Sequence, residues 1–419
     1  MTGALYQLNA KGQQDLLFTG NPEVNFIQQV YKEYINFAME KIKLIPPENV
    51  DFGKKITVKL CKKGDFIKRV WFNFSLPPLT PTSGTAAGWT NSIGHAIIDY
   101  VDLYIGNQRI DRNFGIWMEI WYELTHVPNL NDTDSLLLGK YLNIQQTLVN
   151  ATTDTNYYVP MQFWFCNEIG SSLPVFCLDY HEVRLEMKLR PFSECVVYDG
   201  TTPPLTVRIS DAFFLAEYIY VGDNFKREYK FEDGSVADYG EGPQRKYREH
   251  RYLITQNYQS IKTSLNSGSN SIVDLPFNHA VSEIAFVIQD DQSLANNDWF
   301  NFAQRNPVVH TPVLGFLDKA NLLIDNHKRN DDDLTGTELS LVNNQSHTNN
   351  TDKYIYTMQF CEYPEKLQPS GTLNFSRFSS AVLSLNLFPN LPSVTIYVFA
   401  RNYNLFYINE GLSGVAFNS

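Results

Sequence analysis

Few residue groupings in the chain have types and spacing that could do chemistry, and each is incomplete. His181-Glu182 opens like the zinc-peptidase pattern, in which two helical histidines one turn apart hold the metal and the glutamate is the base. The position that needs the second histidine holds Leu185, so His181 is expected to be a satisfied structural side chain. Asp331-Asp332-Asp333-Leu334-Thr335-Gly336 begins like a calcium loop, but the twelfth position, which needs a bidentate glutamate, is Val342; a solvated acidic loop is expected instead. There is no GxxxxGK(S/T) or GxGxxG phosphate cradle and no GxSxG nucleophile elbow. The remaining cluster is basic: Lys54, Lys55, Lys59, Lys62, Lys63, Lys68 and Arg69. It could meet acidic lipid or nucleic acid, but most of its members fall in the polar phase or the turn of alternating segments, which makes them solvated strand faces. The expectation is no catalytic residue, no cofactor-binding residue, no metal ligand and no cofactor.

The elements around these residues read as strands. Phe37 to Leu44 reads as a strand. Ile56, Val58 and Leu60 alternate with polar residues, a turn follows at Lys63-Gly64-Asp65, and Val70, Phe72, Phe74 and Leu76 alternate up to Pro77-Pro78, which predicts a hairpin with one apolar face. Val101, Leu103 and Ile105 lead to Gly106-Asn107, a two-residue hairpin turn. Val183 to Arg190 alternates apolar and charged residues without error and ends at Pro191, so one face meets a core and the other meets water. In the second half Ile284, Phe286 and Ile288, then Leu383, Leu385 and Leu387, then Val394, Ile396 and Val398 alternate in the same way.

Two helices interrupt the pattern. Phe26, Ile27, Val30, Tyr31 and Tyr34 recur at helical spacing, as do Phe114, Trp117, Met118, Trp121 and Leu124, the second helix being one that packs its two tryptophans on a sheet. Residues 222–250 are rich in charge, Gly and Tyr and read as a connection between two sandwiches plus a surface excursion. Residues 326–352 form a long polar stretch of the kind that sits at an exposed tip. No residue-level repeat relates the two halves.

Bulk properties agree. Apolar residues make up 43% and charged residues 19%, so sizeable cores can form, and the aromatic content, 28 Phe and 24 Tyr, favours pleated surfaces and buried interfaces. The formal net charge of −11 works against coating nucleic acid, which needs cations to displace counterions. Cys61, Cys166, Cys177, Cys195 and Cys361 are odd in number and scattered, which fits neither a zinc knuckle nor a disulfide framework and points to folding in a reducing compartment. Asn-X-Ser/Thr triplets begin at Asn73, Asn131, Asn150, Asn344, Asn349 and Asn374, and without a secretory signal at the N-terminus they read as accidents of composition.

Several motifs together carry a resemblance. Thr19-Gly20-Asn21-Pro22 with Phe26, Val30-Tyr31 and Asn36-Phe37 resembles the N-terminal signature of the major capsid proteins of nucleocytoplasmic large DNA viruses, with Ile35 where that family shows Thr. Ile93-Gly94, Ile105-Gly106-Asn107-Gln108-Arg109-Ile110-Asp111, Trp117 to Thr125 and Tyr180-His181-Glu182-Val183 resemble later motifs of the same family. So do Tyr252-Leu253-Ile254, Phe277-Asn278-His279-Ala280-Val281 (Ala280 replacing Pro), Pro369-Ser370-Gly371-Thr372-Leu373-Asn374-Phe375-Ser376-Arg377 (Leu373 replacing Cys), Asn402-Tyr403-Asn404 and Gly411 to Phe417. The matches are collinear from Thr19 to the last residues.

The resemblance implies an all-β chain of two tandem eight-stranded jelly-roll sandwiches with a few short inserted helices. It divides the chain into an N-terminal arm (1–25), a first jelly roll (26–221), a linker and surface excursion (222–250), a second jelly roll (251–402) and a C-terminal tail (403–419). It implies a structural, non-catalytic role: a homotrimer of hexagonal outline that tiles an icosahedral shell in the virion after assembly in host cytoplasm. Its partners would be neighbouring capsomers and minor capsid and penton proteins, near an inner viral membrane and without direct nucleic-acid binding. The polar segment 326–352 would form the outer tower of the capsomer. Two other readings fit the same residues. One is a minor capsid paralogue. The other is a carbohydrate-binding or glycosidase sandwich, which needs a groove lined by Trp and paired carboxylates; Trp71, Trp89, Trp117, Trp121 and Trp164 all fall in the first half.

Overall fold

The computed structural model describes residues 31–84, 86–127, 137–141, 151–237, 244–265, 270–304, 315–351, 353–389 and 391–417, with scattered positions before residue 31. Eight principal strands build the first sandwich: β1 (Phe37–Leu44), β2 (Lys55–Lys59), β3 (Phe66–Leu76), β4 (Ile98–Ile105), β5 (Gln108–Phe114), β6 (Thr155–Pro160), β7 (Val183–Leu189) and β8 (Ser210–Val221). One sheet runs β1-β8-β3-β6 and the other β2-β7-β4-β5. Successive strands thus alternate between sheets except at β4 and β5, which Gly106 (φ 62°) joins in the expected tight hairpin. The apolar phase of each strand faces inward: in β7, Val183, Leu185, Met187 and Leu189 are buried while Arg184, Glu186 and Lys188 are half-buried on the outer face.

The second sandwich repeats this order with β9 (His250–Leu265), β10 (Ser271–Asp274), β11 (Ala280–Asp290), β12 (Leu317–Ile324), β13 (His327–Lys328), β14 (Ile355–Gln359), β15 (Ala381–Leu387) and β16 (Val394–Asn409). Its sheets are β9-β16-β11-β14 and β10-β15-β12-β13. The fold is therefore two jelly rolls of identical strand order, a duplication that no residue-level repeat reveals. Short helices inserted among the described residues include α1 (Ile93–Ala96), α2 (Gly115–Thr125), α3 (Asp223–Lys230) and α4 (Asp291–Ala295).

Several expectations need correction. Lys55–Lys59 and Phe66–Leu76 are strands but not a hairpin. β2 pairs with β7, whereas β3 pairs with β8 and β6, so the turn at Lys63-Gly64-Asp65 crosses from one sheet to the other. Alternation records which face of a strand is buried, not which neighbour it bonds, and a jelly roll separates consecutive strands. The expected helix from Val24 falls largely outside the described residues, and Tyr31 to Asn36 is not helical.

The expected boundary after residue 402 and the C-terminal tail do not describe the chain either. β16 runs through it to Asn409 and pairs with a further strand, Leu412–Val415. Val394, Ile396, Val398 and Ala400 of β16 sit in the second core, while Phe406, Ile408 and Val415 sit in the first. β9 does the same, with Ile254 in the first core and Leu265 in the second. Two strands of 16 residues, at about 3.3 Å per residue, are long enough to serve both sandwiches. The segment 222–250 is also ordered where described. It holds α3 and a two-stranded ribbon, Phe231–Ala237 with Gln244–Tyr247. Tyr229 of α3 stacks on His250 (centroids 4.4 Å apart) and Lys226 reaches Asp65 (3.3 Å).

Helix α2 starts at Gly115, where the backbone passes so close to the preceding turn that an added Cβ would lie 2.2 Å from the Ile98 carbonyl oxygen and 2.4 Å from that of His95. Backbone atoms cannot yield as a flexible side chain can. Gly115→Ala is expected to cost about 1–3 kcal/mol through this overlap, read as a lower midpoint in urea denaturation with an unchanged slope.

Candidate assembly core between the two sandwiches

The two jelly rolls share a third apolar core, and α2 is its wedge. Ile116, Trp117, Ile120, Trp121 and Leu124 of α2 pack against Ala285 and Val287 of β11, Ile355 of β14 and Tyr397 and Phe399 of β16, with Phe300 and Phe302 closing the side. The expected packing of Trp117 and Trp121 on a sheet is present, but the sheet belongs to the other sandwich. The two indoles stack at 5.7 Å, Trp117 lies 5.5 Å from Phe399, and Trp121 is flanked by the Arg401 guanidinium (4.1 Å) and the His347 ring (6.0 Å).

A wedge buried on nearly every side must also bury its charged residues, and α2 carries two, Glu119 and Glu123, one turn apart. Glu119 is wholly buried. It meets His95 Nδ1 at 2.7 Å, accepts from Ser92 Oγ at 3.1 Å, and lies 3.1 Å from Lys353 Nζ and 3.9 Å from Lys140 Nζ. Glu123 pairs with Lys140 at 2.7 Å and with Lys353. Burial alone would raise these carboxyls, but Lys353 and Lys140 outweigh it, and Glu119 is held well below the ordinary carboxylate range and Glu123 below it. The backbone joins in: Asn349 N–H donates to the Leu124 carbonyl and Asn349 Nδ2 to that of Glu123, both at 2.8 Å.

Asn349 and His347 come from the polar segment 326–352 expected at an exposed tip, and Lys353 follows its last residue; the expectation of an exposed tip is corrected here. Residues 326–333 are mostly exposed, but from Glu338 the chain coils into helical turns, with Leu339, Ser340, Asn344, His347 and Thr351 buried. Its polarity serves buried hydrogen bonds. Asn344 Nδ2 donates to the carbonyls of Ser340 (2.6 Å) and Ile355 (3.1 Å), and His347 lies between Glu283 (3.1 Å) and Glu365 (3.4 Å). Burial would lower His347, yet Glu283 and Glu365 raise it to about 9.

A second polar junction joins β5 to β9. β9 is bulged between Gln256 and Gln259, and there it hands two residues to the first sandwich. Gln256 Nε2 donates to the Ile110 carbonyl, Asn257 N–H donates to Asp111 Oδ1 (2.7 Å) and Asn257 Nδ2 to Asn113 Oδ1 (3.1 Å). Burial pushes Asp111 up to about 8 against the pull of the amides of Asn257 and Arg112.

The residues singled out by type and spacing do not converge. His181 lies on the first sandwich, where Nδ1 is 2.9 Å from Ser413 Oγ and accepts from Ser413 N–H at 3.2 Å. Asp333 binds Lys328 (2.7 Å) and Asn321 (2.9 Å), which makes it a brace for the β12–β13 turn. Among the described residues no three His, Cys, Asp or Glu side chains are placed to hold an ion. The basic cluster is paired across strands: Lys55 to Glu186 (2.6 Å), Lys59 to Glu182 (2.7 Å) and Lys68 to Glu217 (3.8 Å). The tryptophans form no common groove. Trp89, Trp117, Trp121 and Trp164 are buried in two different cores. Asn73 and Asn344 of the Asn-X-Ser/Thr triplets are buried and donate hydrogen bonds, so no sugar could reach them, while Asn131 and Asn150 lie outside the described residues. Burial pushes the thiols of Cys166, Cys177 and Cys195 up to about 12.

What the reading of residues missed is the buried ionic network of Glu119, Glu123, Lys140 and Lys353. One signal was available: α2 is apolar on nearly every face, so its two glutamates cannot both reach water.

Comparison with known proteins agrees with this architecture. Residues 25–221 match the family model described as the N-terminus of the major capsid protein, and residues 246–414 match the one described as large eukaryotic DNA virus major capsid protein. The chain is 29% identical over 436 aligned positions to the major capsid protein of Pyramimonas orientalis virus and 27% identical over 464 to that of Paramecium bursaria Chlorella virus 1, each match covering 100% of both chains. Among solved structures, a chain of a quasi-atomic model of the PBCV-1 virus capsid superposes with a TM-score of 0.78 at 22% identity, covering 94% of this chain and 100% of that one.

Two predictions test the shared core. Lys353→Met removes a cation from between two buried carboxylates and is expected to destabilise the protein by about 3 kcal/mol. The remaining Glu119 contribution is present above its ordinary value of 4.5 and lost as acid titrates the depressed carboxyl, so acid denaturation should begin at a higher pH in the variant. The alkaline side has the opposite sign. Asp111 and His347 both titrate above their ordinary values, 3.8 and 6.5, so the stability linked to each is complete below those values and lost as pH rises through about 8 and about 9. Thermal melts should therefore fall from pH 6.5 to 9. Asp111→Asn keeps the accepting oxygen and should flatten the curve up to pH 8 by about 1.4 kcal/mol per pH unit. An unchanged slope in that variant would show that Asp111 is not the titrating group.

Proposed function

The chain belongs to the major capsid protein family of large eukaryotic DNA viruses, and from that premise we propose that three copies form a pseudo-hexagonal capsomer that tiles an icosahedral virion shell. It is a structural protein of the virion capsid and not an enzyme. The observation that carries the trimer is the pair of jelly rolls of identical strand order, fixed by one shared core within a single chain. Two equivalent sandwiches per chain and three chains about an axis give six similar lobes, and six lobes fill a hexagonal lattice position.

The surface supports self-association. Tyr31, Tyr34, Ile35, Phe37 and Met39 are exposed in one stretch that leads into β1, an edge strand of its sheet. Exposed large apolar side chains on an edge strand, here Phe37 and Met39 of β1, mark a surface that a partner covers, and a second copy is the partner proposed. An obligate trimer of this kind needs about 2,000 Å² or more of buried surface at each contact. In the assembled particle the further partners would be neighbouring capsomers, minor capsid and penton proteins and a nearby inner membrane, with assembly in host cytoplasm. The acidic net charge of −11 favours enclosure of the genome without direct binding to it.

Light scattering of the purified protein tests the proposal. The expected mass is three times 48.1 kDa, and Phe37→Asp combined with Met39→Asp is expected to shift the population toward monomer while leaving the melting curve of each chain cooperative. A wild-type protein that stays monomeric at micromolar concentration would exclude the capsomer.

A further inference from the structure

A cleft of about 450 Å³ opens between the two jelly rolls, and its walls come from both. Lys188, Arg190 and Phe114 line it from the first sandwich, and Lys262, Trp299 and Tyr397 from the second. Its size is that of an ordinary small-ligand site.

Two of these side chains are left incomplete by the fold. Arg190 follows β7, its backbone fixed by the bonds Arg190 N–H to Ile97 O (2.8 Å) and Gly53 N–H to Arg190 O (2.9 Å). Its side chain runs inward. The residue is 6% exposed and the guanidinium stacks on the Trp299 ring at 3.7 Å, with the indole N–H of Trp299 donating to the Glu194 carbonyl at 2.8 Å. Among the described residues Arg190 Nη1 has no hydrogen-bond partner. On the opposite wall Tyr397, 7% exposed, leaves its hydroxyl without a partner among the described residues, and Lys262 Nζ lies over its ring at 5.2 Å. Asp99 and Glu194 also border the cleft and their charges favour the ionised guanidinium, but neither accepts a hydrogen bond from Arg190 Nη1 among the described residues.

A buried guanidinium N–H without an acceptor is costly, and the usual resolution is a charged acceptor. Both orphan groups are donors, and one of them is a fork that matches a carboxylate. The faces around them are aromatic. We propose that this cleft binds a carboxylate carried on an apolar frame, with Arg190 and Tyr397 donating to its oxygens and the rings of Trp299 and Phe114 packing on the frame. The carboxylate has two sources of the same chemistry: a free organic acid, or an acidic side chain flanked by apolar residues on a polypeptide of the same particle. The site lies within one chain and does not depend on the trimer.

Calorimetric titration of the purified full-length protein tests this, with 3-phenylpropanoate as the free acid, acetyl-Phe-Glu-Phe-amide as the peptide and 3-phenylpropanamide as the uncharged control. Saturable binding of at least one carboxylate probe at one site per chain is expected, with the amide about tenfold weaker, since a charge-assisted bidentate contact is lost. Arg190→Met, which keeps the stacking volume on Trp299, should weaken binding about tenfold or more, and Tyr397→Phe about threefold, the effect of one neutral hydrogen bond. Binding of the free acid alone identifies a small-molecule site, binding of the peptide alone identifies a polypeptide site, and both outcomes support the proposal. No binding of either carboxylate, equal binding of acid and amide, or wild-type affinity in both variants would overturn it. If Arg190→Met fails to fold, the amide comparison and Tyr397→Phe decide alone.

Discussion

The structure depends on the burial of one helix whose acidic residues have nowhere to go. α2 is inserted in the first jelly roll but lies under the second, so Glu119 and Glu123 are cut off from water by both. Ionised carboxylates in such a place are tolerable only when cations and donors surround them. Those groups come from three parts of the chain: His95 of α1 with Ser92 just before it, Lys140 from the long connection between α2 and β6, and Lys353 from the second sandwich. Neither jelly roll satisfies the wedge alone. A separated first sandwich would expose two tryptophans and a pair of glutamates poised for lysines, and a separated second sandwich would expose the sheet face of Val287, Tyr397 and Phe399. The two therefore form one rigid body, although each has its own core.

The long strands extend the same logic along the junction. β9 and β16 each donate apolar residues to both cores, so a shear between the sandwiches would have to break a sheet rather than slide two surfaces past each other. The bulge in β9 at Gln256 to Gln259 shows how one ladder can serve two neighbours: the bulge interrupts the register with β16, and Asn257 turns to the Asp111 carboxyl of β5. For a structural capsid protein this rigidity matters, because it holds the angle between the two sandwiches constant. Polar specificity at the junction then fixes one relative orientation, where apolar packing alone would accept several.

Much of the fold was legible in the residues, and what was not has a physical reason. The strand at Val183–Leu189 is marked by strict alternation, since one inward face demands it; Val101, Leu103 and Ile105 and Val394, Ile396 and Val398 mark the other two, although β16 is buried on both faces, and the tight turn at Gly106-Asn107 and the wedge helix with Trp117 and Trp121 are equally plain. Pairing partners were not legible. The segments Lys55–Lys59 and Phe66–Leu76 have the pattern of a hairpin, yet a jelly roll sends them to opposite sheets, and side-chain periodicity holds no information about which edge a strand joins. The segment 326–352 was misread for a different reason. Its Asn, Thr and His content is that of a solvated loop, but the same side chains can satisfy buried backbone, as Asn344 does, and composition cannot tell water from a carbonyl as the partner. The buried network around Glu119 joins residues separated by 234 positions, a distance no local pattern spans.

Cross-strand pairing also sets the charge of the basic segment 54–69, which spans two strands and the turn between them. A cation displaces counterions from phosphate only if its charge is not already neutralised. Lys55, Lys59 and Lys68 face Glu186, Glu182 and Glu217 across neighbouring strands, and Lys62 caps the carbonyl of Leu178. On a β-surface such cross-strand pairs align opposite charges along the sheet, so Lys55, Lys59 and Lys68 are basic in sequence but paired in space. An approaching polyanion would have to break those pairs one by one while the remaining acidic excess repels it. The charges on this face hold neighbouring strands in register.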